Sequence, residues 1–529
     1  MWPEIAYYTR MSWGVARLLR APRIADPERE VLAQMANRER SFLETVRRSV
    51  FAHPRNPYYR MFKLAGCHYE DLEHGVERKG LEPFLAELHR AGIYLSHDEF
   101  KCKKPIIRSG ETIPANSRSF LNPLVSGSYE ARSSGSRSRG TITRHNIQNQ
   151  VYRECYSHFL KREFDLENRA HIGVMPILPS AWGIGTCVKA ARGGDPVKRW
   201  FSAGGSIRNS GHYRVVTKFT IALAKLIGAN LPFPTYLRRD DFSQVAEWIA
   251  KRKKEGILCW VNGVVSPCVR VAAAALENCF DIRGTLFRVG GEALTDAKRR
   301  VMEDAGAEVF PYYHIHELGP IGQSCRQMRE GNCVHIQKDA VAVVSYTRPA
   351  PLTSTEVNSL LFTSLLPHAP RVLINVEMDD AGVIGPARCD CVFSKAGFTE
   401  QISEIHSYGK LTGQGITLVG ADVLRILEEV LPQKFGGTPG DYQLVEADTG
   451  RQTEITLRVS PRTGVTSTEE VREGFLQEVR KLYGGSLSYR QWTQAAAMSA
   501  VLGEPYATVS GKILPLHLLG FGTGHPYAS

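Results

Sequence analysis

Apolar residues in the first part of the chain recur every three or four positions. Over residues 26–51 they lie in a charge-rich background, and this spacing predicts helix. Prolines and tyrosines at 54–59 interrupt the pattern, and another helix is predicted over residues 81–91. The first 110 residues are therefore predicted to be mostly helical, and they end in a basic segment at 101–108.

From residue 147 to 375, short apolar runs alternate with helical stretches. The glycine-rich segment at 182–186 is predicted to be a turn. This alternation predicts an α/β fold with mostly parallel sheets. The predicted strands are 171–175, 257–261 and 285–289, and the predicted helices are 147–164, 215–227, 240–254, 269–277 and 293–305.

The pattern changes after Lys410. Four glycines over 409–420 indicate a hinge, although a simple loop would have the same composition. Strands are predicted at 442–446 and 453–459, and an amphipathic helix at 466–482 starts from the capping box of Ser467 and Glu470. The end of the chain is therefore predicted to be a small α+β domain.

Composition narrows the choice of partners. A chain of 529 residues is too long for one core, and its net charge of +12 favours anionic ligands such as nucleotides or CoA. Its basic residues are scattered, without the aromatic-and-basic pattern of RNA-binding proteins, so nucleic acid is not expected. No run of 18 apolar residues and no signal peptide are found, and the eleven cysteines are expected to be thiols or metal ligands. The expected location is the cytoplasm.

Residues 132–141 form a loop of serines, glycines and arginines. Small residues allow the backbone to surround an anion, while Arg137 and Arg139 offer charge-assisted hydrogen bonds. The loop therefore suits a polyphosphate, but it lacks the spacing and lysine of the P-loop. A flexible linker is the alternative interpretation.

Four more motifs follow this loop in order: Gly290-Gly-Glu292, Tyr313-His-Ile-His-Glu-Leu-Gly319, Asn375-Val-Glu-Met-Asp-Asp380 and Gly511-Lys-Ile513. Together the five resemble the adenylate-forming superfamily of acyl-CoA synthetases, peptide-synthetase adenylation domains and luciferases. The branch they resemble most is that of phenylacetate-CoA ligase and the acyl-protein synthetases. The resemblance spans residues 50–520, and residues 1–48 form an unmatched helical extension.

The resemblance implies a large adenylate-forming domain at 49–409 and a small mobile lid at 410–529. It implies that ATP and Mg²⁺ activate a carboxylic acid, aryl or fatty acyl, to an acyl-adenylate. The acyl group would pass to a thiol of CoA or of an acyl or peptidyl carrier protein. Transfer to an amine, and a non-catalytic nucleotide- or acyl-binding homologue, remain open alternatives.

The resemblance also implies roles for single residues. Glu317 would bind Mg²⁺, and Lys512, together with Arg139, would neutralise charge on the carboxylate and α-phosphate. His316, which departs from the family pattern, is a candidate to hydrogen-bond phosphate. Tyr313 would stack on adenine, Asp379 or its neighbour Asp380 would bind the ribose, and Lys410 would lie at the hinge. Gly290, Gly291 and Glu292 would line the adenine and acyl pocket, and the phosphates would be held by Ser133, Ser134, Gly135, Ser136, Arg137 and Thr141.

Two departures from the family pattern bear on activity. The phosphate loop has Ser138-Arg139-Gly140 where the family has Gly-Lys-Pro, and two histidines, His314 and His316, follow Tyr313 where a glycine and a hydroxyl residue are usual. With Glu317 these histidines also permit a second interpretation, the metal triad of a hydrolase. That interpretation would leave the phosphate loop and Lys512 unexplained.

A cysteine-rich pattern indicates a metal. The pair Cys389 and Cys391 lies downstream of Cys325 and His335, with Cys333 as a substitute ligand, and this set suits a closed four-ligand structural zinc site. Some relatives of phenylacetate-CoA ligase carry a zinc of this kind, which the layout resembles. Ordinary buried thiols are the alternative.

Overall fold

The computed structural model describes most of the chain: residues 2–125, 129–132, 142–202, 211–237, 241–329, 331–349, 356–407, 420–448, 453–482, 498–508 and 511–519. Among these residues, no helix combines the length and the apolar character needed to cross a membrane.

The first hundred residues are mostly helical, as predicted. Asn56 caps one of these helices by accepting from the Tyr58 amide at 3.0 Å, and Pro57 occupies the first turn, where no amide donor is needed. The predicted helix at 26–51 is divided at Asn37 and ends in a π-helical turn, Arg47–Phe51. The helices are α1 (Trp2–Arg20), α2 (Pro27–Ala36), α3 (Arg38–Val46), α4 (Pro57–Leu64), α5 (Tyr69–Lys79), α6 (Leu81–Arg90) and α7 (His97–Phe100).

The middle of the chain folds into one twelve-stranded sheet, preceded by two small hairpins. The hairpins pair β1 (Ile106–Arg108) with β2 (Glu111–Ile113) and β3 (Tyr129–Arg132) with β4 (Ile142–His145). The sheet contains β5 (Ala170–Val174), β6 (Arg199–Ser202), β7 (Pro234–Tyr236), β8 (Cys259–Val264), β9 (Leu286–Gly290), β10 (Glu308–Ile315), β11 (Gly319–Gln323), β12 (Val334–Ile336), β13 (Val341–Pro349), β14 (Glu356–Ser364), β15 (Val376–Pro386) and β16 (Glu400–Ser407).

Half of this sheet is parallel. The strand order β10-β9-β8-β5-β6-β7 is parallel throughout, because a helix connects each strand to the next strand of this group in the sequence. The α/β prediction is therefore confirmed. The helices of this region are α8 (Ile147–Glu154), α9 (Tyr156–Phe164), α10 (Trp182–Arg192), α11 (Gly211–Leu226), α12 (Ser243–Lys254), α13 (Val265–Glu277) and α14 (Asp296–Asp304).

The other half of the sheet, from β10 through β11, β12, β16, β15 and β14 to β13, is antiparallel. It packs against the N-terminal helices, where the buried hydroxyl of Tyr58 donates to the Ile374 carbonyl at 3.1 Å. The amide of Asn375 donates to the Leu85 carbonyl at 2.7 Å. These contacts join the helical start of the chain to the sheet. The short helix α15 (Val392–Lys395) lies between β15 and β16.

Two local predictions are wrong. The segment 182–186 is not a turn but the first turns of α10, where burial of Ile184, Cys187 and Val188 stabilises a helix despite two glycines. The strand predicted at 257–261 lies further along, over β8, because Asn262 and Gly263 pair with both neighbouring strands.

The end of the chain forms its own four-stranded sheet, with the order β19-β18-β17-β20 and a separate apolar core. As predicted, Ser467 caps the long helix by accepting from the Glu470 amide at 3.3 Å. The strands are β17 (Tyr442–Asp448), β18 (Thr453–Val459), β19 (Met498–Leu502) and β20 (Leu516–Leu519), and the helices are α16 (Gly420–Arg425), a π-helical turn (Ile426–Val430), α17 (Leu431–Phe435), a 3₁₀ turn (Pro461–Thr463) and α18 (Thr468–Lys481).

A buried carboxylate makes stability depend on pH. Burial raises the pKa of Asp339 to about 6 from 3.8, although hydroxyl donors from Tyr152 and Tyr156, at 2.5 and 2.7 Å, oppose the rise. Because the folded state holds this proton more tightly, the group's contribution to stability falls as pH rises from about 4 to about 6, by about 3 kcal/mol in total.

We expect Asp339→Asn to remove this pH-dependent loss of stability. The free energy of unfolding of Asp339→Asn relative to the original chain should rise across pH 4 to 6, whereas that of Asp390→Asn, an exposed site, should stay level. A difference between the Asp339→Asn and original chains that is flat across this pH range would contradict the burial argument.

Candidate active site

One face of the parallel half-sheet is polar and lines a cavity. Side chains alternate along each strand, so Val261, Phe287 and Val289 enter the apolar core beneath α12, α13 and α14. Residues at the alternate positions, including Asn262 and Arg288, line a cavity of about 500 Å³ on the other face. Buried strands that carry polar residues on one face are typical of a binding site.

Helix α10 forms a wall of this cavity through Trp182, Gly185 and Lys189. Helix α1 forms another part of the wall through Met11 and Val15, both buried.

The guanidinium of Arg192 fixes the position of α1. It donates to the carbonyls of Leu18 and Ala21 at the end of that helix, at 2.6 and 2.7 Å. Donors at a helix C-terminus satisfy carbonyls that the helix leaves without partners. The N-terminal segment, which the sequence left without a role, therefore contributes directly to the cavity.

Lys512 reaches the same cavity from the end of the chain. Gly291 has a φ of +84°, and a methyl group placed on it would lie 3.5 Å from the Lys512 ammonium nitrogen. The following amide, that of Ile513, donates to the Ser266 hydroxyl at 3.4 Å, and Ser266 in turn donates to Glu292. A glycine at 291 thus leaves room for a cation held by its neighbours.

Glu292 accepts the hydrogen bond from the Ser266 hydroxyl. Burial raises the pKa of its carboxyl, while Lys298, Ser266 and Lys512 lower it. The neighbouring Gly290 packs closely on Tyr312, where a methyl group would lie 2.7 Å from the ring. The structure therefore brings the predicted Gly290, Gly291 and Glu292 together with Lys512.

Glu317 is paired with Lys101, at 2.5 Å between Oε1 and the ammonium nitrogen. Burial alone would raise the pKa of Glu317, but the charges of Lys101 and His316 lower it to about 2. The carboxylate is therefore ionised at neutral pH. Glu317, His314, His316 and Lys101 all line the cavity.

Tyr313, Asp379 and Asp380 lie outside the cavity wall that the described residues form. The Tyr313 hydroxyl donates to Asp380 at 2.5 Å, and burial, together with this carboxylate, raises the pKa of the phenol well above its ordinary value. The backbone of Asp379 has a φ of +60°. Its carboxylate lies 2.9 Å from Nδ1 of His97. The alternation along β10 explains this separation, since Tyr312 and Tyr313 point to opposite faces of the sheet.

The remaining predicted residues fall outside the described part of the chain. This holds for Ser133, Ser134, Gly135, Ser136, Arg137, Arg139, Thr141 and Lys410. It also holds for 203–207, one of three segments, with 182–186 and 261–266, whose glycines and small residues predict room for an acyl group. Of the other two pocket candidates, 182–186 and 261–266, the structure places members on the cavity wall.

Four predicted metal ligands form a cluster: Cys325, His335, Cys389 and Cys391 have their ligand atoms within 4.8 Å of one another. Sulfur–sulfur distances of 3.6 and 3.9 Å and sulfur–nitrogen distances of 3.2 and 3.4 Å are close to the edges, about 3.8 Å, of a tetrahedral thiolate zinc site.

The other ring nitrogen of His335, Nδ1, lies 2.8 Å from the Phe398 carbonyl, which leaves Nε2 toward the thiols. The donor set therefore fits zinc, and Cys333 lies outside it. The histidines His314 and His316 do not form such a cluster with Glu317 in the described part of the chain.

Several residues at the site were not predicted. Lys101 comes from a basic segment 216 positions before Glu317, and no spacing rule links the two. Arg288 carried a usable signal, because a polar residue in the middle of a buried strand needs a partner or a ligand.

No protein-family model and no curated protein matches this chain. Solved structures similar to it include 2-hydroxyisobutyryl-CoA ligase in complex with 2-HIB-AMP and CoA (14% identity, 95% of each chain covered, TM-score 0.47). Another is an acyl acid amido synthetase (8% identity, 82% of this chain and 89% of that chain covered, TM-score 0.42). A third is an E. coli MenE variant with bound OSB-AMS (9% identity, 76% of this chain and 69% of that chain covered, TM-score 0.37). At these TM-scores and identities, the function of this chain rests on its own residues.

Proposed function

We propose that this protein uses ATP to convert a carboxylic acid to an acyl-adenylate and then transfers the acyl group to a thiol of CoA or of a carrier protein. The observation that carries the proposal is the position of Lys512. An ammonium group from the end of the chain lies beside Gly291, in a cavity that Lys101 and the ionised Glu317 also line.

The proposed first step needs positive charge. A carboxylate oxygen of the acid forms a bond to the α-phosphorus of ATP as the bond to pyrophosphate breaks. Both reacting groups are anionic, so cations that neutralise charge in the transition state lower the barrier. In this proposal Lys512 neutralises the carboxylate and the α-phosphate, and Lys101 neutralises a second phosphate.

The proposal assigns Mg²⁺ to Glu317. Its buried carboxylate, ionised at neutral pH, is the hard oxygen ligand that this ion prefers. When bound, the ion supplies further positive charge at the phosphates. The serine-rich loop and Arg137 and Arg139 are proposed to hold the β- and γ-phosphates.

Adenosine is proposed to lie beyond the cavity, where Tyr313, Asp379 and Asp380 group together. Asp379 is accessible enough, with 29% of its side chain exposed, to accept hydrogen bonds from ribose hydroxyls. His97, bonded to the same carboxylate, would hold its orientation. The phosphate chain would then cross from this group of residues to Glu317.

The second step opens the acyl-adenylate. A thiolate attacks the acyl carbon, the bond to AMP breaks, and the thioester and AMP leave. Capture by an amine would follow the same course and give an amide, so product analysis with CoA and with amines separates the two acceptors. We also propose residues 49–409 and 410–529 as the two domains, with rearrangement about Lys410 between steps and a cytoplasmic location.

Carboxylate-dependent exchange of labelled pyrophosphate into ATP tests the proposal. Exchange over a panel of aryl and fatty acids should rise with one acid class and fall at least about a hundredfold in Glu317→Ala. Absence of exchange with every acid, in a protein that binds ATP, would refute acid activation for that panel and favour a binding role.

We further propose that the four-residue cluster binds one structural zinc ion. Purified protein should contain about one zinc per chain, and Cys391→Ser should lose the metal and several kcal/mol of unfolding free energy. Cys333→Ser is the matched control, because that thiol lies nearby but outside the cluster and should keep the metal. Full zinc content in Cys391→Ser would contradict the assignment.

A further inference from the structure

Two cations other than Lys512 line the cavity on the polar face of the sheet. Arg288 projects from β9 into the cavity, and its guanidinium lies 3.9 Å from the centre of the Tyr312 ring. Lys189 lines the cavity from α10. Arg288 precedes Gly290 by two residues, which places it about 6.6 Å further from the strand end where Gly291 and Lys512 meet.

These cations are short of negative charge. Arg288 donates through Nε to the Gln323 amide oxygen at 2.7 Å, a neutral acceptor. Within the described ranges, no acidic side chain is in salt-bridge distance of Arg288 or Lys189, and Glu154, which attracts Lys189, is itself bonded to Arg192 at 2.6 Å.

The pKa values of Arg288 and Lys189 are consistent with this lack of negative charge. Burial lowers the pKa of Arg288 to about 10. Burial, with repulsion from Arg153, lowers the pKa of Lys189 to about 8. Partly buried cations without counter-charges destabilise a protein, and such groups persist where a ligand supplies the opposite charge.

A third polar group points to the same place. Asn262 is directly opposite Arg288 on the adjacent strand β8, and both side chains face the cavity. Asn262 is only 6% exposed, and its amide oxygen is a buried atom without a hydrogen-bond partner. An amide oxygen accepts hydrogen bonds, so this atom indicates a polar ligand with a donor group beside Arg288 and does not itself bind an anion.

We propose that the acid substrate carries a second anionic group at its far end, and that Arg288 and Lys189 bind it. The reacting carboxylate would lie near Lys512 and the second anion on the floor of the cavity. A dicarboxylic acid has this chemistry, and so does an acid with a terminal phosphonate or sulfonate. This inference rests on the proposed acid activation and specifies its substrate class.

The test compares matched acids. Pyrophosphate exchange is measured with hexanoate and adipate, with 3-phenylpropanoate and its para-carboxy derivative, and with the corresponding phosphonate and sulfonate. The original chain should prefer the doubly charged acid by at least about tenfold in kcat/KM, the effect of one charge-assisted hydrogen bond. The preferred anion type distinguishes carboxylate from phosphonate and sulfonate.

Variants locate the preference. Arg288→Gln and Lys189→Met should each reduce kcat/KM for the doubly charged acid by about tenfold or more and change that for the simple acid less than about twofold. Arg288→Lys keeps the charge and should retain most of the preference for the doubly charged acid. It is the variant to measure if Arg288→Gln does not fold. Arg283→Gln, an exposed charge outside the cavity, is the control.

The outcomes separate the two claims. Exchange that occurs equally with simple and doubly charged acids, and that is insensitive to Arg288 and Lys189, would overturn the inference and leave acid activation intact. Exchange with no acid in the panel would overturn the proposed function itself. A preference for the doubly charged acid that persists in both variants would place the second anion elsewhere and also refute the inference.

Discussion

Replacing Lys512 by alanine is expected to reduce the rate of acid-dependent pyrophosphate exchange by about a hundred- to a thousandfold. The reason is electrostatic, because the ammonium beside Gly291 would no longer offset charge that accumulates between carboxylate and α-phosphate. The loss should appear mainly in kcat, since a cation that acts on the transition state contributes less to ground-state binding.

The control for this variant is Lys481→Ala, an exposed lysine at the end of α18. It should exchange pyrophosphate at the original rate. ATP binding by Lys512→Ala, measured by calorimetry, should change by much less than the rate. Full activity in Lys512→Ala would mean that the lysine is a structural turn residue and would remove the observation on which the proposal depends.

The second large effect is expected at a buried ion pair between α14 and the π-helical turn that follows α16. The Lys298 ammonium lies 2.7 Å from Glu428, and the two side chains are only 4% and 5% exposed. Thr295 also donates to this carboxylate. Lys298→Met would leave a buried carboxylate without its counter-charge, which costs about 3–5 kcal/mol of unfolding free energy.

A neighbouring pair on the same two elements supplies the matched control. Arg300 and Glu429 are 3.8 Å apart, and the Arg300 side chain is 59% exposed. Solvent screens this pair, so Arg300→Met should cost at most about 1 kcal/mol. Urea denaturation of both variants, with amide exchange over residues 426–430, measures the difference. Equal stabilities would show that burial of the first pair has no energetic effect.

Much of the fold could be predicted because its signals are local. Helix α18 has a capping serine and a clear apolar stripe, and the strands β5 and β9 are short apolar runs that end at proline or glycine. Helix α10 was missed for the opposite reason. Its glycines indicate a turn, and only burial against α1 and the sheet explains why Trp182–Arg192 is helical.

The antiparallel half of the sheet was not predicted. Most of its pairings join consecutive strands, but the pairing that closes it joins strands that are distant in the sequence. Strand β12 pairs with β16, so His335 lies opposite Gln401. That pairing brings His335 within reach of Cys389 and Cys391. The ligand types could be predicted from spacing, whereas the choice between Cys325 and Cys333 depends on this tertiary contact.

The candidate site, like the fold, could be predicted only in part. The resemblance that the order of the motifs carries implies that Gly291, Glu317 and Lys512 belong to one site. The partners of those residues were not predictable. Lys101 and the wall residue Met11 come from segments without any motif, and their positions follow only from helix packing.

Isotope transfer from the acid to AMP tests the central claim most directly. An acid labelled with ¹⁸O in both carboxylate oxygens is incubated with the protein, ATP and a thiol acceptor, and the AMP is analysed by mass spectrometry. Attack of the carboxylate on the α-phosphorus predicts one ¹⁸O in each AMP released, since the oxygen that bridges acyl group and phosphorus leaves with AMP. Unlabelled AMP, formed together with an acylated thiol, would contradict an acyl-adenylate intermediate.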